Sequence, residues 1–272
     1  MKCKNWPVGV CSWSLQTDVA GVAEALNKLG IEHVHLAVRA AVEEKGDDYL
    51  AAVQAQDWTI GNTMIDFPQE DYSTLESIKV TGGVAPDDCW ERNRKLFVGA
   101  AEVTAKLGVP YLSMHAGFVD ERDVAYAKKF YDRIRSLADT ASDNGIMLLL
   151  ETGQEAAEEL KHFLETLDHP AIGVNFDPAN MILYDKGDPI EAVRVLAPWI
   201  KHLHIKDAIR TTQPGTWGQE VPWGDGQVGT DAFLGVLAEV GFEGIMAIER
   251  EAGDDRFGDI KLAVDRLQSF KG

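Results

Sequence analysis

Four side chains able to bind a cation stand directly after short apolar runs in the second half of the chain. They are Glu151 in MLLLETGQE, Asp177 in AIGVNFDPAN, His204 in IKHLHIKDA and Glu249 in GIMAIERE. One carboxylate after a strand is ordinarily a solvated loop residue or a helix cap. Three carboxylates and an imidazole repeating the same relation to a strand make a different case. If the strand ends converge, the carboxylates repel one another and resist desolvation, and a divalent cation neutralises and coordinates them. Oxygen-rich ligation with a single nitrogen suits Mn²⁺ or Mg²⁺ better than a structural zinc site, and Co²⁺ is also acceptable.

Strand periodicity chooses between two histidines. His202 and His204 share one face, with Leu203 and Ile205 on the other, and His204 lies one layer nearer the carboxyl end. His204 is therefore the expected ligand and His202 a hydrogen-bonded core histidine. Lys206 continues the inward face, where it either reaches a substrate oxygen or forms a rim salt bridge. His115 ends a further strand and is either a donor to a substrate hydroxyl or a satisfied structural histidine. Asn180 either orients a bound hydroxyl or caps the next helix. Trp13 is placed to floor a pocket, whereas Trp6 and Phe67 acquire no role from spacing.

The elements that position these residues form a regular series. Strand candidates fall at 8–13, 33–36, 59–64, 111–115, 146–151, 172–177, 200–205 and 245–249, eight in all. Between them, GVAEALNKLG, RKLFVGAAEVTAKLG, AYAKKFYDRIRSLADTASDNG, residues 155–167 and DAFLGVLAEVG have the spacing of amphipathic helices, several ending at Gly. Repeated β-α units predict a parallel sheet. The polar strand ends favour a closed (β/α)8 TIM barrel, a single α/β domain over residues 1–272, because a barrel's carboxyl-terminal strand ends share one pocket. Two long connections, 65–88 and 208–229, are candidate covering loops. The second contains GTWGQEVPWGDGQVG, where Trp217 and Trp223 either close over a small polar ligand or pin the loop to the rim.

Bulk properties narrow the partners. With 44 acidic against 26 basic residues and a formal charge of -18, nucleic acid is a poor partner. The three cysteines, Cys3, Cys11 and Cys89, form no close pair, so neither a disulfide scaffold nor a thiolate zinc site is expected. No signal-peptide pattern or membrane-length apolar run is read, and a soluble, cytoplasmic protein without a membrane partner is the expectation. A G-x-G-x-x-G after the first strand and a G-x-x-x-x-G-K-S/T loop are both absent, which leaves little support for nicotinamide or ATP chemistry. Neither Lys206 nor Arg210 alone makes a phosphate cradle, and association into a homo-oligomer is open.

The strand-end motifs LLLETG, VNFDPAN, HLHIKDA and AIERE, with the later VPWGDGQVG, resemble those of the xylose-isomerase-like TIM-barrel superfamily, in its sugar epimerase, isomerase and dehydratase branch. The resemblance covers nearly the whole chain. It implies one divalent metal, often Mn²⁺, held by Glu151, Asp177, His204 and Glu249. It further implies a ketose-like substrate whose adjacent oxygens meet the metal, with Glu151 and Glu249 exchanging protons through an enediolate. Sugar 3-epimerisation or a related ketose isomerisation is the leading expectation. The alternatives are a keto-inositol or keto-sugar dehydratase, with His115 or Lys206 assisting departure of a hydroxyl, and a non-catalytic sugar-binding barrel. The superfamily's DNA-repair endonuclease branch is disfavoured, since Asn180 stands where that branch has a histidine and no D-x-H follows His204.

Overall fold

The structure, a computed structural model, describes residues 1–43 and 46–270. Eight strands form the barrel: Trp6–Cys11, His33–Ala37, Thr59–Met64, Tyr111–Met114, Met147–Glu151, Ile172–Phe176, Ile200–Ile205 and Ile245–Ile248. Each pairs in parallel with the next, and the eighth pairs in parallel with the first, which closes the sheet. The protein is thus a closed eight-stranded β/α barrel, as the strand count and polar ends led one to expect.

Both faces of such a sheet are covered, so its strands are buried along most of their length. The sixth strand, IGVNF, is buried at every position. Phe97, Phe130, Phe163 and Phe233 project from the surrounding helices as some of the largest fully buried side chains. Helix Val19–Leu29 begins where Asp18 accepts a hydrogen bond from Gly21 N, and it ends at Gly30 with φ 67°. A left-handed residue at that position closes the last turn and returns the chain to the next strand.

Three sequence expectations shift. The first strand stops at Cys11, and Trp13 sits in a 3-10 turn, Ser12–Leu15, rather than in the strand. Hydroxyls explain the early stop: Ser12 Oγ accepts from Ala37 N at 2.9 Å and Ser14 Oγ from Arg250 N at 2.9 Å. They satisfy the ends of neighbouring strands from within a turn. His115, Asp177 and Glu249 each fall one residue past their strand rather than inside it. Finally, the long connections carry their own structure. Residues 65–88 contain helix Leu75–Thr81, started by a Thr74/Ser77 capping box. Residues 208–229 contribute to an antiparallel pair of Asp207–Ile209 with Gln219–Val221.

Candidate metal centre and active site

The fifth, sixth, seventh and eighth strands deliver Glu151, Asp177, His204 and Glu249 to one point at the carboxyl end of the barrel. One ligand-type atom from each lies within 4.8 Å of the others, and all four residues are buried. His204 Nδ1 is the hub, at 3.2 Å from Glu249 Oε2, 3.5 Å from Glu151 Oε1 and 3.6 Å from Asp177 Oδ2. Local chemistry fixes each carboxyl. Asp177 caps helix Pro178–Leu183, its Oδ1 accepting from Asn180 N at 3.0 Å, with Pro178 in the first turn. Glu151 accepts from Asn180 Nδ2 at 3.0 Å and from Asn175 Nδ2 at 3.3 Å. Glu249 accepts from Trp13 Nε1 at 2.7 Å and from Lys206 Nζ at 2.9 Å.

Burial resists ionisation of all three carboxyls, and neighbours decide each outcome. At Glu249 burial is overcome by His204 and Lys206, which hold it well below the usual carboxylate range. At Glu151 burial is likewise overcome, by His115 and His204, and the group sits low. At Asp177 burial outweighs Lys206 and the carboxyl is raised. Burial opposes charge on His204, but Glu249 and its other neighbours hold the imidazole well above its ordinary range.

Two atoms at the centre, Asp177 Oδ2 and His204 Nδ1, are buried without a hydrogen-bond partner. Buried polar atoms left without partners beside two further carboxylates are costly unless a cation meets them. The donor set of three carboxyl groups and one imidazole therefore fits a divalent ion of the Mn²⁺ or Mg²⁺ type.

The remaining candidates divide. Lys206 is buried and bonded to Glu249 and, at 2.7 Å, to Glu251 Oε2, with Asp177 Oδ2 at 3.7 Å. It makes these salt bridges inside the acidic cluster and also lines the cleft. His115 Nε2 lies 3.8 Å from Glu151 Oε1 at the cleft wall. Burial alone would lower its pKa, but Glu151 and Glu70 raise it. His202 Nδ1 meets Asn175 Oδ1 at 2.7 Å one layer down. The Asn180 side chain does not cap its helix, a task Asp177 performs; it holds Glu151 instead. The idea of a tryptophan pair over the ligand is corrected. Trp217 lines the cleft and packs edge-on to Tyr184 at 4.7 Å. Trp223 is buried against Phe233, where it pins the loop. Arg210 pairs with Asp185 and Gly187 O, outside the cleft.

Above the cluster opens a cleft of about 1280 Å³, lined by Trp13, Phe67, Tyr72, His115, Tyr184 and Trp217 among others. That is ample for a small polyhydroxy ligand resting on aromatic faces. Phe67, without a role by spacing, is part of this wall. Sequence reading missed Asn175, Glu251 and His35, although period-two alternation backward from Asp177 places Asn175 on the same inward face.

Residues 23–270 match the family model described as xylose isomerase-like TIM barrel, and the chain belongs to that family. A xylose isomerase domain protein from Planctomyces limnophilus is similar at 30% identity, with 98% of each chain covered and a TM-score of 0.90. A xylose isomerase-like TIM barrel protein from Mycobacterium smegmatis, in complex with magnesium, shares the fold at 17% identity, TM-score 0.73, over 100% of both chains. So does D-psicose 3-epimerase from Clostridium cellulolyticum H10 with D-tagatose, at 15% identity and TM-score 0.71, over 97% of this chain and 99% of that one. Among curated proteins, inosose dehydratase from Clostridium botulinum is 24% identical over 157 residues, a match spanning 51% of this chain and 51% of that relative.

Proposed function

We propose that this member of the xylose isomerase-like TIM barrel family is a divalent-metal-dependent sugar epimerase or isomerase, with ketose 3-epimerisation as its leading reaction. The observation that carries the reading is the convergence of Glu151, Asp177, His204 and Glu249, with two of their atoms buried and unpartnered. These four residues would hold the ion, with Mn²⁺ the first choice and Mg²⁺ or Co²⁺ as alternatives. Bound there, a divalent cation supplies stabilisation of negative charge on adjacent substrate oxygens.

The chain's own groups do the proton work. Glu151 and Glu249 come from strands separated by two others, so they approach a ligand in the cleft from different sides. Both are held below their ordinary range and are ionised at neutral pH, as proton acceptance requires. One, as the carboxylate, takes the proton next to the carbonyl; the other, first protonated from solvent, gives that proton up on the opposite face and is left as a carboxylate. Lys206 and Trp13 fix Glu249, while Asn175 and Asn180 fix Glu151, so neither base swings away from its face. Trp217 and Tyr184 line the cleft and would pack against the ligand's apolar face.

The resemblance to inosose dehydratase favours a second reading, dehydration of a keto-inositol or keto-sugar, in which the same deprotonation is followed by loss of a β-hydroxyl. His115, beside Glu151 and raised above its ordinary range, is positioned to protonate that leaving group. Incubation of the Mn²⁺-loaded protein with ketoses and inososes in deuterated water, followed by NMR, separates the cases. Label at one carbon together with the epimer is the expected result. Loss of water with a deoxy-dicarbonyl product establishes dehydration. Sugar binding without exchange across the panel would reduce the molecule to a binding barrel.

A further inference from the structure

Beneath the four converging groups, His204 Nε2 has two hydrogen-bond partners among the described residues: His35 Nδ1 at 3.0 Å and Asn175 Nδ2 at 3.1 Å. They ask for opposite things. Asn175 is oriented by its other contacts, with Oδ1 meeting His202 Nδ1 at 2.7 Å and Nδ2 donating to Glu151 Oε2 at 3.3 Å. It therefore presents a donor to Nε2, which suits a ring whose proton is on Nδ1. A neutral imidazole that gives its Nδ1 lone pair to a cation must carry its proton on Nε2, and that proton needs an acceptor. His35 Nδ1 is the group that can provide one.

The geometry points to His35 as a positioning residue of the metal centre: its Nδ1 accepts the Nε2–H of His204 in the ligating tautomer and keeps the His204 Nδ1 turned toward the three carboxyls. The inference rests on the reading of His204 as a metal ligand. His35 lies on the second strand and His204 on the seventh, which are not neighbours in the sheet, so the bond crosses the barrel interior. His35 is fully buried, with its ring centroid 4.9 Å from that of Trp13 and 4.7 Å from that of His202, both edge-on. Cys11 Sγ closes the remaining side at 3.9 Å from the same Nδ1. A ring packed this way is held in place. Partners that fix the tautomer of a ligating histidine typically change metal affinity by about 10- to 100-fold.

The test is the affinity of the metal-depleted full chain for Mn²⁺ alone, read from the electron paramagnetic resonance signal of free Mn²⁺. With circular dichroism unchanged, His35→Phe is expected to weaken binding by about 10- to 100-fold, and His35→Gln, which restores an acceptor, to recover most of it. A folded His35→Phe protein with wild-type affinity overturns the proposal. Should His35→Phe fail to fold, the ¹⁵N-histidine spectrum of the wild-type protein with Mg²⁺ decides. His35 unprotonated at Nδ1 and His204 protonated at Nε2 are expected, and a proton on His35 Nδ1 overturns the assignment. Wild-type protein that binds no Mn²⁺ removes the metal reading and this inference together, whereas wild-type binding with an unaffected variant removes only the inference.

Discussion

The mouth of the barrel holds Glu151, Asp177, His204, Lys206 and Glu249, and the layer below holds Cys11, His35, Asn62, Ser113, Asn175 and His202. Both layers are polar and almost completely buried. The lower layer is neutral. Burial drives His35 down to about 3 and His202 well below its ordinary range, so both rings are uncharged at neutral pH. Some of its bonds are internal, as in Asn62 Nδ2 to Ser113 Oγ at 2.6 Å, and others reach up to Glu151 and His204. Its unpartnered atoms, among them Asn62 Oδ1, belong to uncharged groups. The upper layer gathers three carboxyl groups around one lysine and one histidine. Burying neutral polar groups costs little once they pair, whereas burying like charges demands a counter-charge. The contrast separates a layer that supports from a layer whose charges call for a cation.

The largest expected effects fall on the upper layer. Glu249→Gln and Glu151→Gln each remove a proton acceptor while keeping shape, and each should lower solvent-deuterium exchange into substrate by about 10²- to 10⁴-fold with the fold retained by circular dichroism. Exchange within tenfold of wild type in both variants would break the distinction between the layers. Chelation comes next. Removing the ion should abolish exchange and lower the thermal midpoint, and returning Mn²⁺ at 100 times its Kd should restore about 2.7 kcal/mol of stability. A midpoint indifferent to Mn²⁺ would leave the upper carboxylates without their counter-charge.

Glu155 sharpens the comparison from outside both layers. It lies four residues beyond Glu151 and is buried, and Lys186 and His115 act on it too weakly to offset that burial. Burial therefore pushes it up to about 8 from an ordinary 4.5. A carboxyl raised on folding contributes its stability fully below its unfolded pKa, and loses it as pH rises toward the folded value. Wild type should thus fall behind Glu155→Gln between pH 4.5 and about 8, by a few kcal/mol at most, in urea melts across that window. A difference that stays constant with pH would mean that Glu155 is already ionised in the fold. The smallest effect belongs to the supporting layer. Ser113→Ala strands the Asn62 amide donor and should cost about 1–3 kcal/mol in urea denaturation with exchange activity unchanged.

Much of the upper layer was legible because it obeys strand periodicity. The preference for His204 over His202 follows from counting two residues along one strand, and the polar ends of four apolar runs needed no knowledge of pairing. The lower layer was legible only in part: periodicity gave His202 as a hydrogen-bonded core histidine, but its partners emerge only once the strands are paired. The pair His35–His204 depends on closure, whereas Asn175 follows from alternation back from Asp177. Trp217 and Trp223 look equivalent in a glycine-rich loop. They part only because Phe233 and Arg266, remote in sequence, take hold of the second. The short helix Leu75–Thr81 and the 207–209 pairing escaped for another reason, since runs this brief establish no period.

The most direct test is anomalous diffraction from a crystal of the protein grown with Mn²⁺ and collected near the manganese edge. One peak is expected, bounded by the carboxyl oxygens of Glu151, Asp177 and Glu249 and by Nδ1 of His204. A map with no peak between them at saturating Mn²⁺, or with its peak elsewhere and the carboxyls of Glu151 and Glu249 facing separate solvent, would contradict the metal centre and the chemistry built on it.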